Sequence, residues 1–436
     1  MSRWTFVLVL VLVPAAASGC SDGSGSGVTA PMGRALVGRG AATESFQVLH
    51  LFENGRDGAD PAAGLLLVGG TAYGTTWNGG IRRYAVYNPT GTIFKIDASG
   101  HYSVLYRFSA HMPFGRQASP DGGLVNDPAG NFYGTTSQGG QNEKGTVYKL
   151  SARGRLTTLY TFAGGAADGE YPYATLLRDA RGNLYGTTIS GGGTGCEGAG
   201  CGTVFEIDTS NHESVLYRFA GGTDGSHPYG GVIRDRHGNL YGTTSEGGTS
   251  YCVGSGCGIV FKLDPHGHET ILHRFTCFAD GGLPMDTPLQ GSDGALYATA
   301  GCGGKFYDGI VFKIDMGGNE TVLYNFAGGS DGDAPFGGLI QDAAGNFYGT
   351  TEFGGGYSCN DGNGCGTIFE LDTAGNETVL YPFKGKRDGM EPVTGLVMDL
   401  AGHLYGTTEY GGDRECNNGL GCGVAFKLKQ ALPSGR

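Results

Sequence analysis

The chain has 436 residues, 39% of them hydrophobic, with 86 glycines and a net charge of −12. That length can bury a large core, and without a Gly-X-Y period the glycines exclude a collagen-like rod. The acidic balance and the lack of a basic cluster exclude a nucleic-acid surface and charge-driven binding to an anionic membrane.

Residues 1–19 read as a signal peptide. Arg3 supplies a weak positive start, Phe6 to Val13 is an apolar run too short to span a bilayer, and Ala15 to Gly19 are small. Ala17-Ser18-Gly19-Cys20 resembles a bacterial lipobox, although Ala17 stands where Leu is commoner. Cleavage before Cys20 and lipidation of its thiol are therefore expected, the alternative being ordinary cleavage near Ala17. The rest of 20–43 is rich in Ser, Gly and Ala and reads as a flexible tether, spanning roughly 25 Å on average.

The folded part is expected over 44–432. It begins with a lone strand, residues 44–52, and continues into a repeat. Tyr-Gly-Thr-Thr starts at Tyr73, Tyr133, Tyr185, Tyr241, Tyr348 and Tyr405, with a decayed copy at Tyr297, in steps of 51 to 60 residues. A period of this length means one supersecondary unit copied and stacked. The sixth copy predicts four short strands. Strand A is Gly338 to Gln341, B is Phe347 to Thr351, C is Thr367 to Leu371 and D is Thr378 to Phe383. The turns between A and B and between C and D carry Gly and Asn, which accept positive φ.

Four antiparallel strands repeated seven times predict an all-β fold, a seven-bladed β-propeller of four-stranded blades. Pro382 inside strand D assigns D to the outer edge, where a missing N–H is harmless. Small, Gly-rich strand A then faces the axis. The last copy ends at strand C, residues 424–428, without a D strand, so residues 44–52 are expected to pair with it and close the ring. The A–B and C–D turns share one face. The B–C and D–A loops share the other, which carries most of the length variation and is where a site is expected.

The eleven cysteines fall into local pairs plus a remainder. Even pairing in an exported chain predicts disulfides Cys196–Cys201, Cys252–Cys257, Cys277–Cys302, Cys359–Cys365 and Cys416–Cys422, with Cys20 left for lipid. The spacings and the lack of a following His argue against zinc.

The run GNFYGTTEFGGG…GCGTIFELDTAGNETVLYPF, together with DGDAPFGGLIQD, resembles the bacterial GloVer tandem-repeat proteins, also called choice-of-anchor tandem-repeat proteins, over residues 44–428. The resemblance implies an exported, surface-anchored protein whose anchor varies between members, and the Cys20 context makes a lipid the expectation here. It implies no activity.

Two candidate sites emerge. Asp-Gly-x-x-Pro recurs in the D–A loops, led by Asp57, Asp168, Asp224, Asp280, Asp331 and Asp388. These are either a carboxylate ring for Ca²⁺ or a cationic ligand, or Asx-type turns that position the next strand. The second candidate lies where the repeat breaks. Blade 1 carries Trp77, Arg82, Arg83, Tyr84 and Tyr87 in its B–C loop, and the next D–A loop carries His111 and Arg116. Together they form an aromatic and cationic patch suited to a sugar or an anionic polymer, or else a drifted first blade. The ten histidines do not cluster, and no nucleophile motif is present.

The resulting expectation is a monomeric outer-membrane or cell-surface lipoprotein with no cofactor, Ca²⁺ aside. It would act as a binding scaffold for an unknown extracellular ligand or protein and touch the membrane only through its anchor. The alternative is a propeller hydrolase or lyase acting on a polysaccharide or lactone at the B–C/D–A face.

Overall fold

The computed structural model describes residues 45–80, 90–108, 118–249, 255–359, 362–412, 416 and 419–430. The chain is a seven-bladed all-β propeller, each blade an antiparallel sheet in the order A-B-C-D. Blade 6 shows the unit, with A at Ile340–Gln341, B at Phe347–Thr351, C at Thr367–Leu371 and D at Glu377–Pro382. Pro382 lies on the outermost strand, as its missing donor requires.

Ring closure follows the expected pairing. Ser45–Leu51 runs antiparallel to Val424–Lys429, with Phe46 opposite Leu428 and Val48 opposite Phe426. The seventh blade therefore takes its D strand from the N-terminal end of the folded chain.

Strand A is shorter than the sequence pattern predicts, two residues in blade 6 instead of four. Crowding at the axis is the cause. A Cβ on Gly337 would come within 2.7 Å of the Thr394 carbonyl, and one on Gly338 within 2.6 Å of Asp286 Oδ2. The chain here packs against neighbouring blades before it can pair with its own strand B.

Each part of Tyr-Gly-Thr-Thr has a separate task. The Tyr hydroxyl reaches the carboxylate of its own A–B turn, as Tyr348 does to Asp342 at 3.2 Å. The Gly leaves room for the strand C aromatic, since a Cβ on Gly349 would sit 2.6 Å from Phe369 Cζ. The first Thr hydroxyl donates to a carbonyl of the next blade, for instance Thr187 to Gly230 at 2.9 Å and Thr350 to Thr394 at 2.9 Å. The second Thr bonds strand C and the loop it enters, as Thr351 does with Thr367 Oγ1 and the Phe353 carbonyl, both at 2.8 Å.

Farther out, an aromatic contact joins each blade to the next. The Phe that ends strand D meets the strand C aromatic of the following blade edge-on. Phe162–Phe205 and Phe326–Phe369 have centroids 5.1 Å apart, and Phe383–Phe426 repeats this at 5.3 Å. Such pairs add about 0.5–1.5 kcal/mol each beyond their burial.

Candidate functional site

The D–A loop begins with Asp-Gly and ends with Pro. Its Asp turns outward onto strand D. Tyr217 donates to Asp224 at 2.7 Å, Tyr324 to Asp331 at 3.0 Å and Tyr381 to Asp388 at 2.7 Å. Asp168 takes the Tyr160 hydroxyl and the Ala163 N–H. His50 and His273 stand in for Tyr beside Asp57 and Asp280, at 3.1 and 3.6 Å. The six carboxylates are thus placed as clamps on the outer part of the blades, each held by its own loop and strand. Among the described residues, no group of three or more His, Cys, Asp or Glu would hold a metal ion.

The same seams carry a second acid that the sequence reading overlooked. Strand D of blades 3 to 6 starts with Glu213, Glu269, Glu320 and Glu377. Each packs beside the preceding blade's Asp clamp, and Tyr217 donates to Glu269 Oε2 at 3.1 Å. Burial first, then the neighbouring carboxylate, pushes Glu213 up to about 7 and Glu269 and Glu377 up to about 8. Burial likewise raises Glu320 to about 7, with the neighbouring His273 opposing the shift.

Past the loop's Pro the chain reaches the axis. A cavity of about 160 Å³ opens there, and its wall takes one post-proline residue from every blade. In chain order these are Ala62, Asp121, Tyr173, Tyr229, Met285, Phe336 and Val393. Asp286, Glu352 and Glu409 complete the polar part of the wall. Glu352 and Glu409 directly follow the Thr-Thr pairs of blades 6 and 7, so the cavity lies on the B–C/D–A face where a site was expected.

The repeat is broken at these positions to shape the cavity. Gly301 follows strand B of the decayed fifth copy, and a Cβ there would overlap the Phe336 ring. Tyr173 and Tyr229 meet edge-on, centroids 5.8 Å apart at 77°. Both are only half-buried, because they border the cavity, and burial within the protein still raises both hydroxyls.

The acids are crowded. Asp121 is 3% exposed, and neither of its carboxyl oxygens has a hydrogen-bond partner. Ser137 lies near it and favours the charged form without closing a bond of ordinary geometry. Burial nevertheless pushes Asp121 up to about 8, with nearby Glu409 adding to the rise. Burial, then Glu391, Glu409 and Asp333, pushes Glu352 up to about 8. Burial also raises Glu409 and Asp286, although the Thr287 N–H donates to Asp286 at 2.5 Å. Carboxyls shifted this far toward neutrality would act as proton donors as well as charges.

Of the aromatic and cationic patch, Trp77 is half-buried at the exit of strand B in blade 1, the register that holds Glu352 and Glu409 in blades 6 and 7. Arg82, Arg83, Tyr84, Tyr87, His111 and Arg116 lie outside the described residues, as does Cys20. Among the cysteines, Cys196–Cys201, Cys359–Cys365 and Cys416–Cys422 are bonded. These bridges mark an oxidising, extracytoplasmic compartment. Cys252 lies outside the described residues. The expected Cys277–Cys302 bridge is corrected. The two sulfurs lie 3.9 Å apart, beyond bonding distance, on loops already joined through their backbones, with the Cys302 N–H donating to the Gly282 carbonyl at 3.2 Å and the Gly304 N–H to the Phe278 carbonyl at 2.6 Å. No helix among the described residues is long and apolar enough to cross a membrane.

Sequence reasoning missed the axial wall, yet a signal was present. Within Asp-Gly-x-x-Pro the residue after Pro changes character from blade to blade while its surroundings repeat.

A family model described as the Gloeobacter/Verrucomicrobia repeat matches residues 83–287 and 250–433. Among curated proteins, none matches the sequence. Solved structures similar in fold include puromycin hydrolase, at 11% identity and a TM-score of 0.50, covering 81% of this chain and 50% of that one. A puromycin-hydrolyzing peptidase of Mycobacterium tuberculosis is similar at 12% identity and a TM-score of 0.46, with 81% and 51% covered. A protein described as a putative gluconolactonase is similar at 15% identity and a TM-score of 0.38, with 71% and 89% covered. The chain spans about half the length of puromycin hydrolase, and at these identities the likeness is one of fold.

Proposed function

Given that the chain belongs to the Gloeobacter/Verrucomicrobia repeat family, we propose that it is an exported, lipid-anchored propeller that binds an extracellular ligand in its axial cavity. The observation that carries this reading is the cavity wall itself. One residue per blade lines it at equivalent positions, and apart from Tyr173 and Tyr229 these residues differ from blade to blade while the flanking Pro repeats. A wall that served packing alone would repeat like the rest of the blade. The anchor rests on the Cys20 context, and a glycan or other polymer would present a terminal group to a cavity of this size. Trp77, at the exit of strand B in blade 1, would extend contact beyond the rim.

The test is a thermal-shift screen of small sugars, amines and acids on the protein and on Val393→Trp, which would fill the cavity. At least one compound should raise Tm in the first and not in the second. If no compound distinguishes the two proteins, the axial site is wrong. Incorporation of labelled palmitate that is lost in Cys20→Ala would support the anchor, and no incorporation would remove it.

A second reading is hydrolysis or lysis at the same cavity, favoured by Asp121 and Glu409. Two buried carboxyls that influence each other can divide acid and base roles. Turnover of polysaccharide or lactone substrates that is lost in both Asp121→Asn and Glu409→Gln would favour this reading over simple binding.

A further inference from the structure

We propose that the axial cavity takes a small organic cation, an ammonium group seated against Tyr173, Tyr229 and Phe336 with Asp121 as its counter-charge. The inference rests on the reading of this cavity as a ligand site and names the class of ligand.

Charge is the first argument. The described wall carries four carboxyl groups, Asp121, Asp286, Glu352 and Glu409, and no Lys, Arg or His. Burying an acid without a partner is costly, and proteins place a charge or a hydrogen-bond donor against it. Asp121 has neither. Both its oxygens are buried, without a hydrogen-bond partner, in a side chain that lines the cavity. An ammonium in the cavity supplies the missing charge at short range.

The aromatic wall is the second argument. The faces of Tyr and Phe attract cations most strongly where water is excluded. The Tyr173–Tyr229 corner is set at 77°, and Gly301 is kept without a side chain where the Phe336 ring sits. Three rings and an acid line the same cavity, a lining that suits a soft, weakly hydrated cation. A divalent metal needs several oxygens at close range, and no such group is gathered among the described residues.

Size sets the upper limit. A cavity of about 160 Å³ is comparable with one that holds a benzene molecule. Choline or tetramethylammonium fits this scale.

Titration calorimetry on the full chain tests the proposal with choline, tetramethylammonium and putrescine, set against 3,3-dimethyl-1-butanol, the uncharged isostere of choline. At least one ammonium compound should bind, and the isostere should bind at least about tenfold weaker, which is about 1.4 kcal/mol. Asp121→Asn should erase that preference while Tm stays level or rises, since the variant removes a buried acid. Phe336→Leu should weaken tetramethylammonium severalfold with the fold retained by circular dichroism. Binding of choline and its isostere with equal affinity would overturn the proposal, as would no binding by any of the three cations. Unchanged choline affinity in Asp121→Asn would do the same. A neutral sugar that binds wild type but not Val393→Trp, with every ammonium compound silent, would overturn the cation while leaving the axial site standing.

Discussion

Thr407 Oγ1 donates a hydrogen bond to the carbonyl of Ala63 at 3.2 Å, joining the last blade to the first across 344 residues of sequence. It is one of seven. Thr75, Thr135, Thr187, Thr243, Thr299 and Thr350 each donate in the same way to the following blade, to Gly122, Ala174, Gly230, Asp286, Gly337 and Thr394. The motif that recurs along the chain is therefore the inner tie of the ring.

Thr407→Val keeps the shape and removes the donor, leaving the Ala63 carbonyl unsatisfied. The loss should be about 1–2 kcal/mol in urea unfolding. Thr243→Val, which removes the equivalent bond away from the closure, should cost a similar amount. A neutral result at both sites would mean that the ties carry no weight.

Gly349→Ala would push a methyl into the Phe369 ring, which lies 2.6 Å from where the Cβ would stand. The expected cost is about 1–3 kcal/mol. Blade 5 already contains this change, because Ala298 occupies the position and pairs with Phe312. Ala298→Gly should therefore move Tm less than Gly349→Ala does.

Stability should decline on the alkaline side earlier than in an ordinary acidic protein. Glu213, Glu269, Glu320 and Glu377 are raised to about 7–8, so the folded state holds their protons more tightly than the unfolded chain. Their contribution is complete below the unfolded value and is lost as pH rises through about 7–8. Asp399 has the opposite sign. Held at about 2 despite burial, by the His403 N–H and ring and the Tyr405 hydroxyl, it contributes above its unfolded value and is lost as pH falls toward 2. A Tm profile should peak near about pH 5 and fall toward pH 8. A flat profile over that interval would contradict the seam geometry, and Glu269→Gln should flatten part of it.

Cys277 and Cys302, with sulfurs 3.9 Å apart, need only a small loop movement to join. Mild oxidation should remove the mass of two hydrogens and stabilise the fold by about 3 kcal/mol. Cys277→Ser should abolish both effects.

Asp331→Ala should cost about 2 kcal/mol, because it strips the Tyr324 hydroxyl and two backbone N–H groups of their acceptor. Millimolar calcium set against chelator should leave Tm unmoved, as these carboxylates are occupied by their own loops. A calcium-dependent rise would restore the ion ring.

Much of the scaffold was legible in the sequence because it repeats. The blade count came from Tyr-Gly-Thr-Thr, the outer edge from Pro382 and the closure from an unpaired strand at each end. The second Thr of the motif bonds within its own blade, but the first reaches a neighbouring blade, and no local pattern names a partner in the next copy. The axial wall was hidden for a related reason. Asp121 and Glu409 are separated by most of the fold and influence each other only once the ring has closed. Ala62, Tyr173 and Met285 share no chemistry, so they look like drift unless the register aligns them.

On the proposed ligand reading, the post-proline ring would behave as a combination lock. Each blade sets one tumbler, held by backbone that the hydrogen-bond ties and aromatic contacts keep in place. Changing Ala62 or Val393 would reset the keyhole without loosening the body of the lock. A lineage that copies and shuffles blades can thus retune what it admits one position at a time, and relatives with the same frame need not share a key.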